Sequence, residues 1–480
     1  MGNLKKKKIA HKLIETLYED NNSLSVTLTG SYSDHFDLDR AGDIDIIVIC
    51  KNLNKSYFNK CIKKLKIIKK KYLDQNKSLI INKTFGPIKF YQKDTIVFHL
   101  MIYDLESHIK HTIRSPFTCY DWERSKVYLG KSIKELSPVF KLQLRDFYEA
   151  RRSTQEYLRD ISNNKISYRE YEFNNNKVKL KKKYFSIDQV NRRDFIFHTI
   201  KFLLINYIKY EKEININIKD NIIDNKFFEI VKNKKDLIEF KKLRYLKKIK
   251  STKEIYGSRD LALRFIGKFD EYIKNNDGKN IYFTRHKKSL LNRKKIFLGQ
   301  NLNPKIINRK ISPEFKRIKF DKCFSSPSTR CKETALLICK KNKILIDNHL
   351  QEIDYGKAEG LDFKEFMNKY PDIINKWSEG KDPKFPNGES TLNVLGRLKK
   401  FIRKELNYNR LKSKKNAIIL THNVILRCLV GNFFKLKKKE WFKINIEYFD
   451  LLEFRLEKNK LTSNIDRNKF LKIFNKFYSN

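Results

Sequence analysis

The chain has 480 residues, with 105 Lys and Arg against 55 Asp and Glu, for a formal charge of +50 at neutral pH. That length exceeds what one hydrophobic core ordinarily organises, and 24 Tyr with 35 Phe supply ample core, so wholesale disorder is excluded and two or three domains are expected. The basic residues run along the whole length with abundant Asn and Ile, as a compositional bias would place them. A nucleic-acid footprint is expected to cluster, so nucleic acid stays open as a partner without being favoured.

Seven Cys without a Cys-x-x-Cys pair give neither a disulfide framework nor a zinc site. The opening "MGNLKKKKIAHKLIETLYED" has no apolar core of a signal peptide, because Glu15, Glu19 and Asp20 arrive too early. The most apolar stretch, "AIILTHNVILRCLVGNFF", is interrupted by His422 and Arg427, too polar for a membrane span. The expectation is a soluble cytoplasmic protein with no membrane partner. Its oligomeric state is not legible.

Along the chain, residues 1–145 mix strand-like runs ("LSVTLTG", "DIDIIVIC", "TIVFHLMIYD") with a helical one, "FNKCIKKLKIIKKKYL". From 146 to 275 the helical period dominates, with aromatics three and four apart in "RRDFIFHTIKFLLINYIKYEKE" and "SRDLALRFIGKFDEYIKNN". These aromatics are expected to be helix core. The turn-rich "NNDGK" at 275–279 is the expected boundary. Over 278–480 strands ("NIYFT", "FDKCF", "KILID", "NAIILT") alternate with helical segments, which predicts a parallel sheet covered by helices.

A polar candidate follows each of those four strands: Arg285-His286, Arg330, Glu352 and His422. In an open α/β sheet ligands bind outside the carboxyl ends of the strands, so the four are expected to converge on one edge. Their types suit phosphoryl transfer. Two arginines grip a phosphate dianion, a neutral imidazole attacks phosphorus, a second histidine binds oxygens where charge builds, and a carboxylic acid protonates the leaving oxygen. No metal is needed for that chemistry.

These motifs resemble the histidine phosphatase superfamily, the phosphoglycerate-mutase-like fold, over about 278–455. "TRHKKSLLN" is similar to the family's Arg-His-Gly-Glu-Thr start, with Asn292 at the phosphate-binding asparagine. "SSPSTRCKETA" carries the second arginine, Arg330, and "LQEIDYGKAEG" the acid/base glutamate, Glu352. "FPNGES" resembles a Pro-Gly-Gly-Glu-Ser loop, and "THNVILRCL" carries His422. The resemblance implies a three-layer α/β/α domain in which His286 is the nucleophile and Arg285, Asn292, Arg330 and His422 bind phosphate, with no cofactor. The sequence departs from the family at Lys287 and Asn423, each in place of a glycine, and at Leu298, where many relatives have Gln and Gln300 is close by.

In "LTGSYSDHFDLDRAGDIDIIVI" a strand ends at Gly30-Ser31, where small residues let backbone amides approach a phosphate. Asp43 and Asp45 then open a second strand, and alternation puts both on one face, an arrangement suited to Mg²⁺ with a triphosphate. This stretch looks like the DNA polymerase β-type nucleotidyltransferase superfamily over about 20–105. That likeness implies a mixed-sheet fold, a nucleoside triphosphate at Gly30 and Ser31, and Mg²⁺ on Asp43 and Asp45. The family's third carboxylate has candidates in Asp94 and Asp104, with His99 between them.

The expectation is therefore an α/β multidomain, bifunctional enzyme. It comprises a nucleotidyltransferase-like domain (1–145), a helical domain (146–275) and a histidine phosphatase domain (278–480), acting on small phosphorylated metabolites such as sugar or surface-polysaccharide precursors. A phosphoglycerate-type mutase and an RNA-binding or RNA-modifying nucleotidyltransferase are the alternatives.

Overall fold

The computed structural model describes residues 2–18, 21–36, 43–86, 95–174, 177–187, 189–249, 251, 253, 255, 257–274, 278–339, 343–411, 416–457 and 460–477. The chain divides into two compact units, Met1–Leu142 with Asp146–Ile273, and Gln143–Arg145 with Lys274–Asn480. Of the expected boundary "NNDGK", residues 275–277 lie outside the described residues.

In the first unit, β1 (Ser23–Thr29), β2 (Ile44–Cys50), β3 (Ser78–Asn82), β5 (Thr95–Asp104) and β6 (Tyr128–Gly130) form one sheet in the order β3-β5-β2-β1-β6. A two-residue strand, β4 (Thr84–Phe85), lies outside it. The sheet is mixed: β1 runs antiparallel to β2 and β6, whereas β5 runs parallel to β2 and β3. β2 is rich in β-branched residues because both of its faces are covered. Ile44, Ile46 and Val48 join one core with Ala10, Leu13 and Leu17 of the first helix. Ile47 and Ile49 join another with Phe195, Ile200 and Leu204.

The helices Gln189–Lys212, Asp220–Val231, Lys234–Lys248 and Ser258–Lys274 bury most of the aromatics that the periodicity marks as core, although Phe202 is exposed. Phe227 stacks on Phe240 at 4.8 Å and on Phe265 at 5.4 Å. Such pairs add about 0.5–1.5 kcal/mol each beyond the area they bury.

The helical reading of 146–275 needs one correction. β7 (Lys165–Asn174) and β8 (Lys177–Ser186) form an antiparallel hairpin, and β4 pairs with β7 to make a three-stranded sheet. Tyr171 and Phe173, two residues apart, share one face and pack on Phe58 at 4.6 and 5.2 Å. The Tyr171 hydroxyl also donates to the Ile102 carbonyl at 2.9 Å and accepts from the Ile102 amide at 2.6 Å. A period of two on a lysine-rich strand carries little hydrophobic signal of its own. What selects the strand is the partner surface.

In the second unit, β9 (Lys279–Arg285), β10 (Lys322–Ser325), β11 (Ile344–Ile346), β12 (Asn416–Thr421), β13 (Leu451–Glu457) and β14 (Lys460–Ser463) order as β11-β10-β12-β9-β13-β14. The four strands expected from sequence are mutually parallel. The sheet as a whole is not, because β13 runs antiparallel to β9 and pairs with β14 as a hairpin. All seven cysteines are buried, and none is in a disulfide. Among the described residues no helix is long and apolar enough to cross a membrane.

Candidate active site

The parallel strands of the second unit end together, and their carboxyl ends supply the site. β9 ends at Arg285, and the His286 amide extends the ladder to the Thr421 carbonyl at 3.0 Å. β12 ends at Thr421, directly before His422. β10 leads through Ser326 into the helix Thr329–Ile338, whose first turn carries Arg330. The Thr421 hydroxyl donates to the Leu350 carbonyl at 2.7 Å, which ties down the segment leading to Glu352.

His286, Arg330, Glu352 and His422 are 3%, 1%, 6% and 0% exposed, so their chemistry unfolds in a largely water-free space. The His286 and His422 rings are 5.1 Å apart, edge to face. His286 Nδ1 lies 2.7 Å from the Lys287 carbonyl, which can only accept. The proton therefore sits on Nδ1, and Nε2 keeps its lone pair. Burial, then the Arg330 and Arg285 charges, hold the His286 pKa well below its usual value, so the ring is neutral.

His422 is fixed from both sides. The Arg330 guanidinium faces its Nδ1 at 3.3 Å, so Nε2 carries the proton and donates to Ser326 Oγ at 2.8 Å. Its pKa is also held far down, by burial first and by Arg330 second. Arrival of a phosphate dianion reverses the sign of that local field and favours the imidazolium. Cys331 Sγ lies 3.4 Å from the same Nε2, but its thiol is pushed up to about 12, mainly by burial, and is no rival nucleophile at neutral pH.

Arg330 also donates to the carbonyls of Leu302 and Gly299, both at 2.9 Å, and of Leu298 at 3.4 Å. Leu298 thus contributes through its backbone. Gln300 Nε2 donates to the Glu352 carbonyl at 2.9 Å, so it braces the site. Glu352 accepts from the amides of Ile353 at 3.0 Å and Val424 at 3.4 Å, yet burial outweighs these and raises its pKa.

Arg285 donates from Nη1 to the Ile446 carbonyl at 2.8 Å, while its Nε is buried without a hydrogen-bond partner among the described residues. Asn292 Oδ1 accepts from the Ser289 amide at 2.9 Å and hydroxyl at 2.7 Å, capping a short turn. Only its amide nitrogen remains to donate to a ligand.

Three contributors were not named from sequence. Ser326 lies inside a motif that was read for its arginine. Arg397 joins Glu389 of "FPNGES", at 3.0 Å on both oxygens, to the carbonyls of His349, Gln351 and Glu352 at 2.8, 2.6 and 2.9 Å. It holds the Glu352 segment in place, a role only the folded chain reveals. The third, Tyr448, stands against Arg285 and His286.

Lys287 does not reach into the site. Its ammonium donates to the Lys310 carbonyl at 2.6 Å and lies 4.2 Å over the Phe449 ring. Lys287→Ala is accordingly expected to change the inhibition constant of inorganic phosphate by less than about threefold. A tenfold loss in a titration of turnover against phosphate would contradict that placement.

In the first unit, Asp43, Asp45 and His99 each offer a ligand atom within 4.8 Å of the others. The parallel register of β2 and β5 sets Asp45 beside His99, and His99 Nδ1 lies 2.8 Å from Asp45 Oδ1. Burial opposes the imidazolium, but Asp45, the Thr84 carbonyl and Asp43 together raise the His99 pKa. Gly30 has φ 73°, and a Cβ there would stand 2.2 Å from Asp45 Oδ2. The glycine opens a short helix, Gly30–His35, and gives that carboxylate its room. Of the two carboxylates suggested as a third ligand, Asp94 lies outside the described residues. Asp104 caps the helix Leu105–Arg114 by accepting from the Ser107 amide at 2.7 Å. The third member of the cluster is instead His99.

The second unit thus gathers guanidinium groups, two neutral histidines and a buried carboxyl group at the ends of parallel strands. Residues 281–465 match the family described as Histidine phosphatase superfamily (branch 1), a span that contains all of these groups. That match is confined to the C-terminal region and covers less than half of the chain. The chain is similar to Phosphoserine phosphatase 1 of Hydrogenobacter thermophilus, 29% identical over 25% of this chain and 56% of that protein. It is also similar to the 2,3-bisphosphoglycerate-dependent phosphoglycerate mutase of Methanococcus vannielii, 27% identical over 35% of this chain and 86% of that protein. A solved mycobacterial glucosyl-3-phosphoglycerate phosphatase aligns with 39% of this chain and 98% of its own, at 14% identity and a TM-score of 0.34.

Proposed function

We infer that the C-terminal region hydrolyses phosphomonoesters of small metabolites through a phosphohistidine on His286. The observation that carries this reading is the fixed tautomer of His286, with Nδ1–H spent on the Lys287 carbonyl. Nε2 attacks phosphorus and the bond to the leaving oxygen breaks, with Glu352 giving that oxygen its proton. Water then attacks the phosphohistidine, returns a proton to Glu352 and releases inorganic phosphate. Arg285, Arg330, Asn292 and His422 bind the transferring group, where charge builds on its oxygens. Brief incubation with a ³²P-labelled phosphomonoester, quenched in alkali, tests this. Label on the protein that survives base and is lost in acid is expected, and turnover with no such label on His286 would overturn the mechanism.

For the first unit the reading is nucleotidyl transfer from a nucleoside triphosphate, with Gly30 and Ser31 on the nucleotide side and a divalent cation, expected from sequence to be Mg²⁺, on Asp43 and Asp45. The two carboxylates are donors that suit Mg²⁺, whereas an imidazole suits softer divalent ions, and His99 Nε2 already donates to the Thr84 carbonyl at 2.9 Å, as a ligating histidine commonly does. The ion would neutralise phosphate charge there. The protein's own part is to hold the carboxylates, with Gly30 giving Asp45 its space. Mn²⁺ binding followed by electron paramagnetic resonance is expected to weaken at least tenfold in Asp45→Asn, with phosphate release in EDTA unchanged. Equal Mn²⁺ binding by the two proteins would remove the metal site.

A further inference from the structure

β13 is antiparallel to β9, with Leu451 opposite Thr284. Continuing that register past the strand ends brings residues 448–450 alongside 285–287, the segment that carries His286. The Phe449 amide donates to the Arg285 carbonyl at 3.1 Å, and the buried Ile444 and Ile446 anchor the approach from below. Two arginines clasp this approach: Arg427 Nε on the Ile444 carbonyl at 2.9 Å and Arg285 Nη1 on that of Ile446 at 2.8 Å. Phe449 itself is held at φ 66°, a left-handed conformation that a bulky side chain rarely adopts. Strain of this kind persists where the surroundings over-determine it, and it clusters at functional sites.

The consequence is a pair of adjacent aromatic rings over the two cations that flank His286. The Tyr448 ring covers the Arg285 guanidinium, 3.6 Å from its centroid, and lies 5.9 Å from the His286 ring. The Phe449 ring covers Lys287 and stacks on Phe315 at 4.1 Å. Lys287 is drawn away from the site, and Arg285 is held in it. With Nη1 on a carbonyl and one face against an aromatic ring, the guanidinium has little freedom left. Its remaining donors are fixed in advance of a ligand, so binding costs little ordering.

We propose that Tyr448 is a positioning residue for phosphate binding, its ring acting as a π platform that orients the Arg285 guanidinium and shields it from water beside His286. This rests on the reading of Arg285 as a phosphate-holding group. A stacked, partly desolvated guanidinium loses about five- to thirtyfold in binding when the ring is removed. The phenol hydroxyl has no part in this, so the ring alone should suffice.

The test is calorimetric titration of the full chain in EDTA with inorganic phosphate, comparing Tyr448→Phe, Tyr448→Trp, Tyr448→Leu, Tyr448→Met and Arg285→Ala. Tyr448→Phe and Tyr448→Trp should bind within twofold of wild type. Tyr448→Leu and Tyr448→Met should lose five- to thirtyfold with an unchanged melting temperature, and their loss in aryl phosphate turnover should fall on KM rather than kcat. If Tyr448→Leu does not fold, the comparison of Trp with Met decides, and equal binding by those two overturns the proposal. A loss in Tyr448→Phe as large as in Tyr448→Leu also overturns it, because the hydroxyl would then be the working group. If Arg285→Ala weakens binding and Tyr448→Leu does not, the proposal falls and the phosphate site stands. If neither matters, the reading of Arg285 falls with it.

Discussion

Replacing His286 with Ala is expected to reduce phosphate release from an aryl phosphate by a factor on the order of 10⁴ or more, about 5 kcal/mol of barrier, with EDTA present throughout. The size follows from what is removed. His286 is the group with a lone pair fixed by its neighbours and held neutral by burial, at a site with guanidinium groups on hand to bind the transferring oxygens. The nearby thiol of Cys331 cannot substitute, since burial keeps it protonated. Folding should survive, because the ring makes one hydrogen bond, to its neighbour's carbonyl, and lies beside other rings without filling a core layer. A melting curve checks the fold, and retention of more than a few per cent of wild-type turnover would refute the assignment.

The second large effect is at Glu352, and its sign can be worked out. To protonate the leaving oxygen Glu352 must carry its proton, so the rate falls as pH rises through its pKa. Burial raises that pKa above the usual carboxylate range, which moves the alkaline limb toward neutrality. To attack, His286 must be neutral, so the rate falls as pH drops through its pKa. Burial and two arginines push that value well below the ordinary imidazole range, which moves the acid limb far down. The profile of kcat against pH should therefore be a bell, its alkaline limb above the usual carboxylate range and its acid limb below the usual imidazole range. Glu352→Gln should lose the alkaline limb. It should also cost on the order of 10²–10⁴ in kcat with an alkyl phosphate and far less with an aryl phosphate whose leaving group needs no proton. An unchanged alkaline limb in that variant would assign the acid elsewhere.

Much of this was legible before any coordinates. The four parallel strands, the order of Arg285-His286, Arg330, Glu352 and His422 behind them, and the paired Asp43 and Asp45 were all open to reading. A strand in an α/β sheet is a run of apolar residues, and the polar residue that ends it stands out. The hairpin β7–β8 was not legible, because its lysines and tyrosines match no period until Phe58 and Ile102 give Tyr171 and Phe173 a surface. Nor was His99 as the neighbour of Asp45, since 54 residues separate them and only the β2–β5 register sets them side by side.

Local sequence determined which chemical groups stand at the strand ends of the C-terminal region. Residue type and position at a strand end are properties of the chain itself, and they fixed which groups could attack, donate and bind charge. Tertiary structure alone decided how those groups are tuned. The tautomer of His422, the raised pKa of Glu352, the withdrawal of Lys287 to Phe449 and the hold of Tyr448 on Arg285 all depend on contacts between segments far apart in sequence. Burial and cross-strand register are collective properties of the fold, and no single stretch of residues carries them.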